Sequence, residues 1–584
     1  MVKPNFRVQE LIQSSQGTKP LASITPEGVM LHRFLLNQSH QNKLHLGSLY
    51  SVMPDNVQDT IHLIWNCLAH EHVGYVFGSM SDNPALMHYL SEQSPISYIP
   101  THREQSAIAM AAIYSRLTRH VGVCLALSDA SSIGLVSGVI DATLNHAPLL
   151  VITGQFDADE SQTLCDRQLD IKRLFEPVVK WYARVTHLES LPETLHSACA
   201  IAQAGIPGVV HIHLTLPLLS SSVPSLPQWQ SPTNTYLSDH QLDEVAQFIT
   251  QFHNPILLVG NGAVREPVHP LLLDIATQLG ALVATTRLAK GVIPETHELS
   301  LGTLTCTMQD YYTHGFDWAD SVITIGYNLQ ELSPLYWNPD GDLPVIHIGR
   351  NAAEICSRYQ PSRELVGNLS FILDGLRRRL YRRQKPTTLQ SKLKLDEHAW
   401  ADGVSYHQFS LIQMLQDVVH PEDILVSDAG SYTDELARYY RCINPNTCLM
   451  PQTSSVKGVA IPGAIAAKLI YPEKRAIAIT EEDGFLASVQ ELEIAKYLGT
   501  PFVTLIINQE RGRVDFIKLA DSLRLNGYRV TSAAALKVVL EEALTQSMPT
   551  IIDCAVNNSP LTPNISHRQK QLSVCDKASV YRTQ

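Results

Sequence analysis

No uninterrupted apolar run of about 18 residues or more occurs in the 584-residue sequence, so no membrane-spanning helix is expected. The first residues, MVKPNFRVQELIQSSQG, lack the apolar core of a secretory signal, and a cytoplasmic location is expected. The 10 cysteines are scattered and form no CxxC pair. Buried free thiols are therefore expected ahead of disulfides or zinc. The 24 histidines show no HExxH or comparable metal spacing. Positive charge is short as well: 44 Lys and Arg stand against 56 Asp and Glu, a net charge of -12. That balance disfavours nucleic acid and anionic membranes as partners.

What is present fits an ordinary folded protein. Hydrophobic residues make up 45%, and the length exceeds what one core supports, so about three domains are expected. Residues 1–56 are polar and rich in Gln, Asn and Ser, and read as an extension. Short β-rich runs then alternate with helical stretches: GYVFG, VGVCLAL and PLLVITG in a first unit, 57–225; PILLVGNG, SVITIGY and LPVIHIG in a second, 226–395; DILVSD, RAIAIT and TPFVTLIIN in a third, 396–556. Apolar strands separated by helices imply parallel, doubly wound α/β sheets, three in tandem. A linker is expected at SSSVPSLPQWQSPTN, from Ser220, and a polar tail at 557–584. Gly260–Asn261–Gly262 is a fragment of a dinucleotide fingerprint and is better explained as a tight turn from strand to helix. The basic run RRRLYRR reads as a solvated helix face.

VFGSMSDNPALMHYL followed by THREQSAIAMAAIYSRLT resembles the pyrimidine-binding domain of thiamine-diphosphate (ThDP) enzymes. LAKGVIPETHELSLGTL and GYNLQELSPLYWNPDGDLPVIHIGRNAAEI resemble their central domain, most like catabolic, FAD-independent acetolactate synthases. IPGAIAAKLIYPEKRAIAIT and FLASVQELEIAKYLGTPFVTLIIN are similar to the diphosphate-binding domain. The resemblance implies ThDP and Mg2+ as cofactors, without FAD. It also implies a homodimer or tetramer, and a carboligase or decarboxylase acting on a pyruvate-like 2-oxo acid. It places Glu104 as the catalytic carboxylate that activates the cofactor, with small residues Ala107, Ala109, Ala111 and Ala112 letting a flat ring approach. Gly78 and Ser128 fall at cofactor-binding positions.

At the other end of the implied cofactor the sequence departs from the family. Its Gly-Asp-Gly becomes Glu481–Glu482–Asp483, followed by Gly484, so Glu481, Asp483 and Gly484 stand at cofactor-binding positions. The metal positions fall on Glu482 and Gln509, each one methylene longer than the family's ligand. A one-residue slip would make Asp483–Gly484 the Asp-Gly pair instead. A negative Glu481 beside a diphosphate can cost on the order of several kcal/mol. The family's Gly-Pro-Gly-Ala-Thr-Asn turn is DASSIG here, Asp129 to Gly134; its cofactor-propping residue is Ser454, and its substrate-facing loop Gln is Arg167. These changes imply an alternative to the carboligase: a non-catalytic protein of the same fold with a binding, scaffold or regulatory role. In a further alternative, Arg167 and Lys457 receive the anion of a different ligand.

Overall fold

The computed structural model describes residues 55–79, 96–127, 129–155, 170–219, 237–381, 406–452, 456–508 and 514–555. The polar extension, the linker from Ser220 and the polar tail lie outside them, apart from Asp55 and Asn56.

Three six-stranded parallel sheets carry the fold. The first contains β1 (Tyr75–Ser79), β2 (Ser97–Thr101), β3 (Gly122–Ala126), β4 (Leu149–Gln155), β5 (Trp181–His187) and β6 (Val209–Leu219), in the order β2-β1-β3-β4-β6-β5. The second contains β7 (Pro255–Val259), β8 (Leu282–Thr285), β9 (Ser300–Thr303), β10 (Ser321–Ile325), β11 (Val345–Gly349) and β12 (Pro361–Val366), ordered β12-β11-β10-β7-β8-β9. The third contains β13 (Ile424–Ser427), β14 (Cys448–Leu449), β15 (Ala476–Glu481), β16 (Val503–Asn508), β17 (Asn526–Val530) and β18 (Thr550–Ala555), ordered β14-β13-β15-β16-β18-β17. The first and third sheets thus repeat one topology. Strands such as GVCLA, PILLV and VTLIIN are buried at every position, because helices cover both faces of a parallel sheet.

The strand order reverses between β1 and β3, between β7 and β10, and between β13 and β15. Crevices outside the carboxyl ends of these strand pairs are where open α/β sheets bind ligands.

The first and third units share one core. Ala107, Ala111 and Ile108 of the Glu104–Thr118 helix pack in the same cluster as Ala460, Ile461 and Ala464 of the Ala460–Ile470 helix. Small residues allow this close approach: a Cβ on Gly463 would lie 2.7 Å from Val426 Cγ1 and 3.1 Å from Ile113 Cγ1. The expectation that these alanines leave room for a flat ring is therefore corrected for Ala107 and Ala111, which bury against protein. The central sheet has its own core, from Leu242 to Leu380.

The expectation of buried thiols is corrected at Cys306 and at Cys356, which is half-buried. Cys67, Cys124, Cys199, Cys442, Cys448 and Cys554 are free and buried, but Cys306 is exposed. The basic run begins on the solvated Leu369–Arg379 helix, where Arg377 and Arg378 pair with Asp374, and Arg379 with Asp239 and Asp243.

Candidate functional site

Glu104 is the first residue of its helix, where a carboxylate is favoured by the helix dipole. Its side chain lies against Gly134, the last residue of the short Asp129–Gly134 helix: a Cβ there would come within 2.5 Å of Glu104 Oε2. The DASSIG stretch therefore keeps one glycine where the acid needs space.

The start of this helix is held by the third unit. Glu491 is fully buried, and its carboxylate accepts from the amides of His102 and Arg103, both at 3.1 Å, and from the side chain of Ser106. Burial raises its pKa, although the nearby His102 and these bonds pull the other way. Arg103 Nη1 donates to Ala487 O at 3.1 Å, and Gln105 Nε2 to Lys457 O at 3.2 Å. Sequence reasoning counted Glu491 only as part of a matching motif; its role depends on a contact 388 residues away along the chain.

The crevice between β13 and β15 is bridged by the protein's own side chains. Glu481 ends β15, and its Oε1 accepts from the amide of Ser431 at 2.9 Å and from Ser431 Oγ at 2.7 Å. Its Oε2 faces Lys457 Nζ at 3.7 Å, and Lys457 also reaches Asp483 Oδ2 at 3.3 Å. A Cβ on Gly430 would lie 3.1 Å from Glu481 Cδ, so the glycine leaves this carboxylate room. Next to it, Asp428 Oδ1 accepts from the amides of Val459 (2.6 Å) and Ala460 (3.0 Å), and its Oδ2 from Thr480 Oγ1 (2.6 Å). Burial raises the Asp428 pKa against the pull of these bonds. Two places where an anion would meet backbone N–H groups, the β13 loop and the start of the Ala460–Ile470 helix, thus hold an internal carboxylate.

Glu482 and Asp483 open the Glu482–Ser488 helix, and Glu482 Oε1 is buried with no hydrogen-bond partner among the described residues. Gly484 is required by packing, since a Cβ would meet Asp428 Oδ2 and Thr480 Oγ1, both at 2.4 Å. Gly78 is likewise a packing residue inside the sheet, where a Cβ would meet Tyr98 Oη at 2.3 Å and Leu125 O at 2.6 Å. Asn508, which ends β16, donates to Asp553 Oδ1 at 2.8 Å, across to β18. Ser128, Arg167, Ser454 and Gln509 lie outside the described residues.

A magnesium-bound diphosphate does not fit the crevice as these residues build it. Among the described residues, Glu481 holds the Ser431 donors, Lys457 is engaged by two carboxylates, and the Glu482 oxygen without a partner is a feature suited to a cation. Among the described residues, no group of three or more His, Cys, Asp or Glu is placed to hold a metal ion. Glu104, by contrast, keeps open space beside it, at the start of its helix and against Gly134.

At the switch point of the central sheet, a cavity of about 190 Å³ is lined by residues including Arg119, Arg265, Arg350, Asn261 and Glu331. The Gly260–Asn261–Gly262 turn beside it is satisfied by protein: the Gly262 amide donates to Gly326 O at 2.9 Å and the Asn261 amide to Glu331 Oε2 at 2.8 Å. A Cβ on Gly260 would lie 2.5 Å from Tyr327 Cα, which accounts for that glycine as a tight turn.

Three parallel sheets in this order, with an acid opening the Glu104–Thr118 helix, define a ThDP-enzyme architecture. Family comparison agrees. Residues 58–174 match the thiamine pyrophosphate enzyme N-terminal TPP binding domain, 242–376 the central domain and 428–512 the C-terminal TPP binding domain. The chain belongs to the thiamine pyrophosphate enzyme family, close to acetolactate synthase. It is 26% identical to the acetolactate synthase of Bacillus subtilis (strain 168), over 85% of this chain and 93% of that protein. It is 27% identical to the catabolic acetolactate synthase of Raoultella terrigena, over 80% and 89% of the two chains. The B. subtilis protein YdaP, named for containing thiamine pyrophosphate, is 27% identical over 84% and 90%.

Proposed function

We propose that this chain uses the ThDP-enzyme fold for a binding, scaffold or regulatory role and does not turn over 2-oxo acids through magnesium-anchored ThDP. The observation that carries this reading is the Glu481 carboxylate on Ser431 and Lys457, in the crevice where the third sheet would hold an anion. The family's oligomeric habit supports a homodimer or tetramer, or pairing with an active relative through the same surface.

A second reading is favoured by the place of Glu104 against Gly134 and by the unpartnered oxygen of Glu482. In it the chain is an acetolactate-synthase-like carboligase or decarboxylase acting on a pyruvate-like 2-oxo acid, with a rebuilt metal site. Release of carbon dioxide from pyruvate, with ThDP and Mg2+ in excess, separates the two. We expect no release above that of the Glu104→Gln variant. Turnover that disappears in Glu104→Gln would establish the second reading.

A further inference from the structure

We infer that Glu481 is a tethered ligand of its own protein, and that the crevice at the ends of β13 and β15 is a latent phosphoryl-anion site which the chain keeps filled. This rests on the reading above and names what fills the site.

Two donors from one residue, the amide and hydroxyl of Ser431, converge on a single oxygen of Glu481, at 2.9 and 2.7 Å. The other oxygen faces the Lys457 ammonium. An amide, a hydroxyl and a cation grouped around two oxygens form the donor set that binds a phosphoryl or carboxylate anion. The position is the topological switch point of the sheet, where a ligand rather than a side chain is ordinarily held.

The carboxylate can leave without dismantling the fold. Glu481 is paired through its backbone, opposite Ile507 of β16, so only its side chain enters the crevice. With that side chain gone, Lys457 stays in place: it retains Asp483, and Gln105 Nε2 still donates to its carbonyl. The neighbouring helix start is not part of the latent site, because Asp428 already takes the Val459 and Ala460 amides. An anion from solution must therefore compete with a carboxylate held at high effective concentration by its own backbone.

The test is a calorimetric titration of the full-length chain with inorganic diphosphate, comparing wild type, Glu481→Gly and Asp483→Asn. Glu481→Gly removes the tethered anion; Asp483→Asn removes the same amount of charge nearby without vacating the Ser431 donors. We expect Glu481→Gly to bind diphosphate at least about tenfold more tightly than wild type, roughly the worth of one charge-assisted hydrogen bond. Asp483→Asn should stay within about twofold of wild type, as a screened surface charge would. If Glu481→Gly binds no more tightly, or Asp483→Asn improves binding as much, the inference fails. Should Glu481→Gly not fold, Glu481→Ser carries the same expectation. Pyruvate turnover by the wild type would overturn the functional reading while leaving the diphosphate result to stand on its own.

Discussion

Replacing Glu491 with alanine should unfasten the start of the Glu104 helix. The side chain is fully buried and holds the amides of His102 and Arg103 at 3.1 Å each. A hydrogen bond to a charged group is worth about 1.5–3 kcal/mol, so the two together contribute roughly 3–6 kcal/mol. Part of that offsets the several kcal/mol that burying a carboxylate costs, and the alanine variant removes this cost too. A net local loss of about 3 kcal/mol remains, which corresponds to a ~100-fold rise in the opening equilibrium. Hydrogen–deuterium exchange over residues 102–106 reads it directly, because the two amides lose this long-range acceptor. Glu491→Gln keeps one carbonyl acceptor and should show a smaller rise. Exchange in Glu491→Ala within about threefold of wild type would refute the reasoning, since it would mean the clamp carries almost none of the local stability.

Acid should weaken the first unit through His211. Its ring packs on Phe175 with centroids 4.2 Å apart, its Nε2 lies 2.8 Å from Thr153 Oγ1, and burial depresses its pKa from 6.5 to about 3. The unfolded chain therefore takes up a proton that the folded chain refuses, and stability present above about pH 6.5 is lost as pH falls toward 3, by about 2 kcal/mol near pH 5. Urea midpoints near pH 5 and pH 7.5 should differ less in His211→Phe than in wild type; an equal difference would contradict this. Lys290→Ala should destabilise the junction of the second and third units by about 3–5 kcal/mol, because it leaves a buried carboxylate unpaired. Lys290 Nζ meets Glu295 Oε2 at 2.6 Å and Ala437 O at 2.8 Å, and denaturant unfolding should show the loss largely recovered in Lys290→Met/Glu295→Leu.

The sheets were legible because parallel strands covered on both faces are short, largely apolar runs. PILLV, VIHIG and VTLIIN declare themselves without tertiary context. TWO-sided burial is absent from WYARVTH and NGYRV, which form β5 and β17 at the sheet edges with mixed polar residues, and these were not foreseen. Glu104 was legible as a residue and Glu481 as an anomaly, since each stands in a recognisable local motif. What each one touches was not. The Ser431 donors lie 50 residues before Glu481, and the Glu491 clamp crosses from the third unit to the first. Such pairings are set by strand order, which a local pattern does not carry. Gly78 and Gly484 show the converse: both matched cofactor-binding positions, and close packing against protein atoms gives each a second reason to be glycine that no local motif carries.

An internal carboxylate, Glu481, occupies the anion crevice of the third sheet. Calorimetric titration of the wild-type chain with ThDP in the presence of Mg2+ tests it most directly. No saturable binding is expected at about 1 mM cofactor; a dissociation constant of about 10 μM or below would mean that the carboxylate does not close the crevice to ThDP.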